Sequence, residues 1–173
     1  TLETASDRKL ERICRKLDLK PDDHLIEIGT GWGGMALYAA KNFGCKVTTT
    51  TISKEQHALA SQRIAEAGLS DHVTLLLQDY RDLEGTYDKL VSIEMIEAIG
   101  HQYLDTYMAK CTSLLKPDGL ALIQAITIED HRYQQALHSV DFIKRYIFPG
   151  SFIPCVNAMV NAAAQSGPLR LLN

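Results

Sequence analysis

Three glycines at alternate positions, Gly29, Gly31 and Gly33, follow a short apolar run that holds a single acid, Glu27. In His24-Leu25-Ile26-Glu27-Ile28-Gly29-Thr30-Gly31-Trp32-Gly33-Gly34 the first five residues read as a buried strand. The rest reads as a tight turn that opens into a helix. Glycine lets backbone approach a ligand where a Cβ would clash, and it takes positive φ at no steric cost. The helix behind the turn offers unpaired N–H groups and a partial positive charge. Such a turn holds a nucleotide-like cofactor.

Glycine spacing alone does not say which one. Gly29, Gly31 and Gly34 also satisfy G-x-G-x-x-G, a weak dinucleotide signal by itself. A nicotinamide site requires Asp or Glu about 20 residues further on, at the end of the second strand, to hold the ribose hydroxyls. That strand end reads Lys46-Val47-Thr48-Thr49-Thr50-Thr51-Ile52-Ser53, with no acid before Glu55. Glu27, two residues ahead of Gly29, points elsewhere. An acid followed by G-x-G-x-G resembles the pattern of S-adenosylmethionine (SAM) methyltransferases, whose cofactor brings a sulfonium and an amino-acid head that both want an anion.

The elements that must position this turn alternate along the chain. An amphipathic helix over residues 6–17, with Leu10, Ile13, Cys14 and Leu17 on one face, precedes a first strand at 24–28. A helix over 34–43 ends at Gly44, and a β-branched strand covers 45–51. Ser53 caps the next helix, with Gln56 completing a capping box, and Gly68 ends it. Strands are expected at 73–77 and 89–93, and a helix at 103–115. Lys116-Pro117-Asp118-Gly119 reads as a turn ahead of a fifth strand at 120–126. Repeated βαβ units give an α/β fold, a doubly wound and mostly parallel Rossmann-like sheet. Beyond it come a polar helix near 130–145, a helix near 156–164 and, at 169–172, the start of a sixth strand. The chain therefore reads as a single SAM-binding domain over 1–173, with its last strands missing.

With 173 residues, 46% of them hydrophobic, the chain can bury one core. Its net charge of −3 argues against a nucleic-acid partner, which calls for a basic face. No apolar run is long enough to span a bilayer, and no signal peptide opens the chain. Cys14, Cys45, Cys111 and Cys155 form no C-x-x-C pair and read as reduced thiols of a cytoplasmic protein; the six histidines lack metal-ligand spacing, so no metal is expected.

Several stretches together go further than a generic SAM domain. They are Glu27-Ile28-Gly29-x-Gly31-Trp32-Gly33-Gly34, Thr51-Ile52-Ser53-x-Glu55-Gln56, Asp79-Tyr80-Arg81-Asp82 and Ser92-Ile93-Glu94-Met95-Ile96-Glu97. Leu115-Lys116-Pro117-x-Gly119, Gln124-Ala125-Ile126-Thr127-Ile128 and Asp141-Phe142-Ile143-x-x-Tyr146-Ile147-Phe148-Pro149-Gly150 follow. Over essentially its whole length the chain resembles the cyclopropane-fatty-acyl-phospholipid synthase family, which includes the mycolic acid cyclopropane synthases. The resemblance implies that Glu27, Gly29, Gly31 and Gly33 serve the methionine part of SAM. It puts Thr51, Ile52 and Gln56 on the ribose, Asp79 and Tyr80 on the adenine, and Ile93 beside the cofactor. Trp32 is expected to pack beside the pocket.

The family's reaction moves a methyl group to the cis double bond of an acyl chain, and ring closure then expels a proton. Glu97 matches the glutamate that helps hold a bicarbonate ion, the family's catalytic base, and Gln124 and Ile126 stand where the other ligands lie. Glu94 reads instead as an acid favoured at a helix start. The chain departs from the family in three ways: Ala98 where a His often follows the glutamate, Gln124 in place of a bicarbonate-binding His, and an upstream Cys segment and downstream Tyr that lie outside it.

The implied partner is an unsaturated phospholipid acyl chain, reached by a transient contact at the inner face of the membrane; a homodimer is also compatible with the family. Lys144-Arg145-Tyr146-Ile147-Phe148 suits either that membrane contact or core packing of Tyr146 and Phe148. The expected product carries a cyclopropane ring or a methyl branch. Competing readings are a methyltransferase for a small amine or other metabolite, a NAD-binding oxidoreductase and a non-catalytic SAM-binding fragment.

Overall fold

The computed structural model describes residues 1–172. Strand β1 (His24–Ile28) pairs in parallel with β2 (Lys46–Thr51) on one side and β4 (Tyr87–Ile93) on the other, and β2 pairs in parallel with β3 (Val73–Leu77). With β5 (Leu115–Gln124) beside β4 the sheet order is β3-β2-β1-β4-β5. This is the doubly wound parallel sheet that the alternating pattern predicts. Helices α1 (Leu2–Lys16), α2 (Gly34–Phe43), α3 (Lys54–Glu66), α4 (Leu104–Leu114), α5 (Asp130–Leu137) and α6 (Val156–Gln165) accompany it.

Packing groups the described residues into two compact units, Thr1–Ser92 with Leu114–Leu122 and, as the second, residues 93–113 with 123–172. In the first, Leu10, Ile13 and Cys14 of α1 are buried, as are Leu25, Ile26 and Ile28 of the central strand. Ala36, Ala39 and Ala40 keep α2 slim, and all three are buried. Strand β2 lies between two neighbours, so even its threonines are buried, and each hydroxyl must find a partner. Thr48 bonds His24 Nε2 (2.8 Å) and Thr50 donates to the Gln78 carbonyl (2.5 Å). Thr49 and Thr51 serve the site described below. In the second unit α6 docks on α4 through Thr112 Oγ1 and Ser166 Oγ (3.0 Å), and Asp130 at the start of α5 accepts from the Asn157 N–H (3.0 Å).

Five expectations are corrected. Helix α1 starts at Leu2 rather than residue 6, because the Thr1 hydroxyl caps it through the Thr4 N–H (3.2 Å). Residues 116–119 lie inside β5 rather than in a turn, and that strand ends at Gln124, not 126. An edge strand has one unpaired side, where a proline removes no ladder bond. The helix expected over 130–145 stops at Leu137, where the Lys144 ammonium donates to the carbonyls of Ala136 and Ser139, and one wide turn follows at Ile143–Ile147. Residues 169–172 form no strand.

Among the described residues no helix is long and apolar enough to cross a membrane. All four cysteines are buried free thiols, and burial pushes Cys14 and Cys111 up to about 12 and Cys45 up to about 11. At neutral pH these three remain protonated and poor nucleophiles.

Candidate active site

The glycine turn leaves β1 at its carboxyl end, where open α/β sheets bind ligands. Gly29, Gly31 and Gly33 all have positive φ (99°, 52° and 86°), which explains three glycines in five residues. The Thr50 carbonyl in β2 ties the turn down, accepting from the N–H groups of Gly29 (3.2 Å) and Thr30 (2.9 Å). Two of the glycines then do different work. A Cβ on Gly31 would meet nothing within 4 Å, so that face of the turn is open to a guest. A Cβ on Gly33 would stand 3.3 Å from Ala60 Cβ in α3, so this glycine also lets the helix pack close to the turn. Gly33 also caps α2 with no side-chain bond to its first turn.

A paired substitution separates those roles. We expect Gly33→Ala to destabilise the chain by about 1–3 kcal/mol, combining left-handed strain with a tight contact. Gly31→Ala should cost only about 1 kcal/mol of strain but weaken cofactor binding at least as much. Thermal melts and S-adenosylhomocysteine titrations of both variants check this; the same loss of binding per unit of stability in each would contradict it.

Glu27 is 2% exposed, directly across from Thr49 in the β1–β2 register. Thr49 Oγ1 donates to Glu27 Oε2 (2.6 Å) and bonds Thr30 Oγ1 (2.7 Å), so a buried chain of hydroxyls joins the carboxyl to the glycine turn. Burial pushes the Glu27 pKa up to about 8, although the Thr49 bond opposes it.

Past the end of β2, Ser53 caps α3 through the Gln56 N–H (3.2 Å), as expected. The reciprocal half of the capping box is absent, because Thr51 takes its place. Thr51 Oγ1 accepts from the Ser53 N–H (3.1 Å) and donates to Gln56 Oε1 (2.7 Å), which pins the amide oxygen. Ile52 beside them is 75% exposed, unusual for an isoleucine flanked by buried strand. Asp79 is held by Arg81, which bonds the carboxylate from its backbone N–H (2.9 Å), Nε (2.9 Å) and Nη2 (2.7 Å) and keeps it below the usual carboxylate range. Tyr80 next to it is buried. Trp32 is not core: it is 53% exposed, and its carbonyl accepts from Arg63 Nη1 (3.0 Å).

The second unit brings Glu94, Glu97, Gln124 and Ile126 together. Glu97 sits on a single turn, Ile96–Ala98, just beyond Ile93, which ends β4 half-buried. Its carbonyl accepts from the Phe152 N–H (3.0 Å) and its Oε1 from the Ile126 N–H (2.5 Å). Ile126 thus contributes its backbone, while its side chain is exposed. Glu94 is not an acid at a helix start. It takes a left-handed conformation (φ 51°), its N–H donates to the Gln124 carbonyl (2.8 Å), and its Oε1 accepts from Gln124 Nε2 (3.2 Å). Among the described residues, Glu97 Oε2 and Gln124 Oε1 are buried without a hydrogen-bond partner. Buried acceptors without partners are rare and mark a site. Sequence reasoning missed Glu94, since neither its positive φ nor a pairing 30 residues away leaves a local signal.

The family model for mycolic acid cyclopropane synthetase matches residues 1–172. The chain is 40% identical over 172 residues to a tuberculostearic acid methyltransferase of Mycobacterium tuberculosis, covering 99% of this chain and 40% of that protein. It is 41% identical over 162 residues to the cyclopropane-fatty-acyl-phospholipid synthase of Escherichia coli K12, covering 94% and 40% respectively. The chain thus spans about two fifths of the length of these relatives. The crystal structure of mycolic acid cyclopropane synthase CmaA1 complexed with SAH and CTAB superposes with a TM-score of 0.86 at 26% identity, over 96% of this chain and 62% of that one.

Proposed function

This chain belongs to the mycolic acid cyclopropane synthetase family, and from that premise we propose that it takes part in SAM-dependent methyl transfer to the cis double bond of unsaturated phospholipid acyl chains. The observation that carries the cofactor reading is the open face at Gly31, on a turn whose neighbours are Glu27, Thr30 and Thr49. Such a cradle suits the amino-acid end of SAM. The group would supply a methyl on a positively charged sulfur, the strength of electrophile that a weakly nucleophilic π bond requires.

In this reading Gly29, Gly31 and Gly33 lie along the methionine part, with the carboxyl of Glu27 behind them. Gln56, its amide oxygen pinned by Thr51, turns its N–H donors to the ribose hydroxyls, and the exposed Ile52 covers the sugar and base. Asp79 and Tyr80 flank the adenine. Glu97 holds a negative oxygen toward the cation that forms on the lipid, where fixed charge in a water-poor site is most effective. The unsaturated lipid is drawn from the inner face of the membrane by Phe142, Tyr146 and Phe148. Tyr146 and Phe148 are each 63% exposed, a better match to an interfacial contact than to a core.

Two measurements test this. Titration of the chain with S-adenosylhomocysteine should give binding, with none for NADH; the reverse would overturn the cofactor reading. Incubating the full-length protein with SAM and unsaturated phospholipid vesicles should add one CH2 to the acyl chain by mass spectrometry. A methylated amine with unchanged lipid would favour the small-metabolite alternative, and cofactor binding with no methyl transfer a non-catalytic role.

A further inference from the structure

Three glycines give the cofactor turn its shape and also its weakness. Glycine loses more backbone freedom on ordering than any other residue, and a peptide between glycines flips with little steric resistance. Such a turn binds tightly only when contacts outside it hold it ready before the ligand arrives. On the strand side β2 does this. The Thr50 carbonyl accepts from the Gly29 and Thr30 N–H groups (3.2 and 2.9 Å), and Thr49 Oγ1 bonds Thr30 Oγ1 (2.7 Å). Those contacts end at Thr30. From there the Gly33 N–H donates back to the Thr30 carbonyl (3.0 Å), closing a tight turn over Gly31 and Trp32.

A peptide unit is planar, so the N–H and the carbonyl of the Trp32–Gly33 unit turn together. Its N–H is the one given to Thr30. Its carbonyl accepts from Arg63 Nη1 (3.0 Å), which reaches it from the last turn of α3, 31 residues away. Gln56, Ala60 and Arg63 are spaced four and three residues apart, which places them on one face of that helix. Each meets the site. Gln56 Oε1 accepts from Thr51 Oγ1 (2.7 Å), and Ala60 Cβ lies 3.3 Å from where a Gly33 side chain would begin. Arg63 then holds the Trp32 carbonyl, so one helix face braces both the end of β2 and the glycine turn.

We propose that Arg63 is a positioning residue for the cofactor: its guanidinium fixes the Trp32–Gly33 peptide and so keeps the open face at Gly31 in binding geometry. The proposal rests on the SAM reading above. Arg63 is exposed, and substitutions at exposed positions change stability little. A charged donor on a carbonyl is nonetheless the stronger kind of hydrogen bond. Here it removes freedom from a segment that two glycines leave loose. Its effect therefore falls on affinity rather than on folding.

The test uses the full-length protein labelled with fluorotryptophan, the Trp32 resonance being assigned by its loss in Trp32→Phe. S-adenosylhomocysteine affinity is measured by calorimetry and stability by thermal melting. Arg63→Met keeps a long stem and good helix propensity but has no donor. It should bind S-adenosylhomocysteine about five- to ten-fold more weakly than wild type. Its melting temperature should stay within about 2 °C, and its Trp32 resonance should shift before any ligand is added. Arg63→Lys retains a donor for the carbonyl and should recover affinity to within about two- to three-fold of wild type. A residue with only a structural role would lower the melting temperature without moving Trp32 or the affinity of the folded protein. Unchanged affinity in Arg63→Met, a Trp32 resonance that stays in place, or a loss that Arg63→Lys does not recover would each overturn the proposal while leaving the SAM reading intact. Wild-type protein that binds no S-adenosylhomocysteine would overturn both. If Arg63→Met does not fold, isotope-labelled wild type decides: the ligand should shift the Arg63 guanidinium resonances, and unshifted ones overturn the proposal.

Discussion

Glu97→Gln in the full-length protein is expected to cut methyl transfer to lipid by about 10²–10³-fold while S-adenosylhomocysteine affinity stays within about two-fold of wild type. The substitution is isosteric, and the Ile126 N–H will hold the amide oxygen in place of Glu97 Oε1. The amide nitrogen must then occupy the position of Oε2, the buried oxygen with no partner among the described residues. There a neutral donor replaces a negatively charged acceptor. It cannot lower the energy of a cation, so methyl transfer suffers. Cofactor affinity reads the glycine turn and the end of β2, which the substitution does not touch. Comparable activity in the variant, with folding verified by thermal melting, would remove Glu97 from the mechanism.

The second large effect concerns stability. A free carboxyl ionises near 4.5, but burial in β1 holds Glu27 protonated up to about 8. Below the lower value both the folded and the unfolded chain keep this proton. Between the two values the unfolded chain releases it and the folded chain does not, so stability falls as pH rises, with a slope approaching about 1.4 kcal/mol per pH unit from this group. Above about 8 the folded state ionises too and the slope ends. Denaturant titrations at half-unit steps from pH 5 to 8.5 measure it. Glu27→Gln should flatten the slope across that window. It will be the less stable protein at pH 5, since the new amide N–H buries a donor at a cost of about 1–3 kcal/mol. The two curves should converge or cross toward pH 8. Parallel curves would mean that Glu27 is ionised in the folded chain throughout.

Much of the fold could be read from the sequence because its signals are local. Strands β1 and β3 and helix α2 lie where the apolar runs and the Gly44 stop put them. The exceptions share a cause. Pro117 and Gly119 carry strong turn chemistry, yet they lie in a strand because an edge position tolerates them. The helix expected over 130–145 breaks where Lys144 folds back on two carbonyls, a contact that periodicity cannot register. Among the candidate site residues, the glycine turn and the Ser53 cap follow from spacing alone. That Asp79 is gripped by Arg81, and that Thr51 rather than Ser53 receives the side chain of Gln56, follows from competition among neighbouring donors and acceptors.

By itself the sequence determined the parallel α/β architecture, the glycine turn and the family. Each rests on residue type at fixed short spacing, where steric freedom at glycine and the periods of strand and helix act over a few residues. Only the tertiary structure decided the state of the polar groups. Glu27 became a buried acid because β2 lies against β1 and brings Thr49 across from it. Glu94 turned from a helix-start charge into the partner of Gln124, and Gln124 was left with an acceptor oxygen, because β5 brings residue 124 to the end of β4. Burial and hydrogen-bond satisfaction depend on pairs far apart in sequence, so the chemistry of this site is set by strand order.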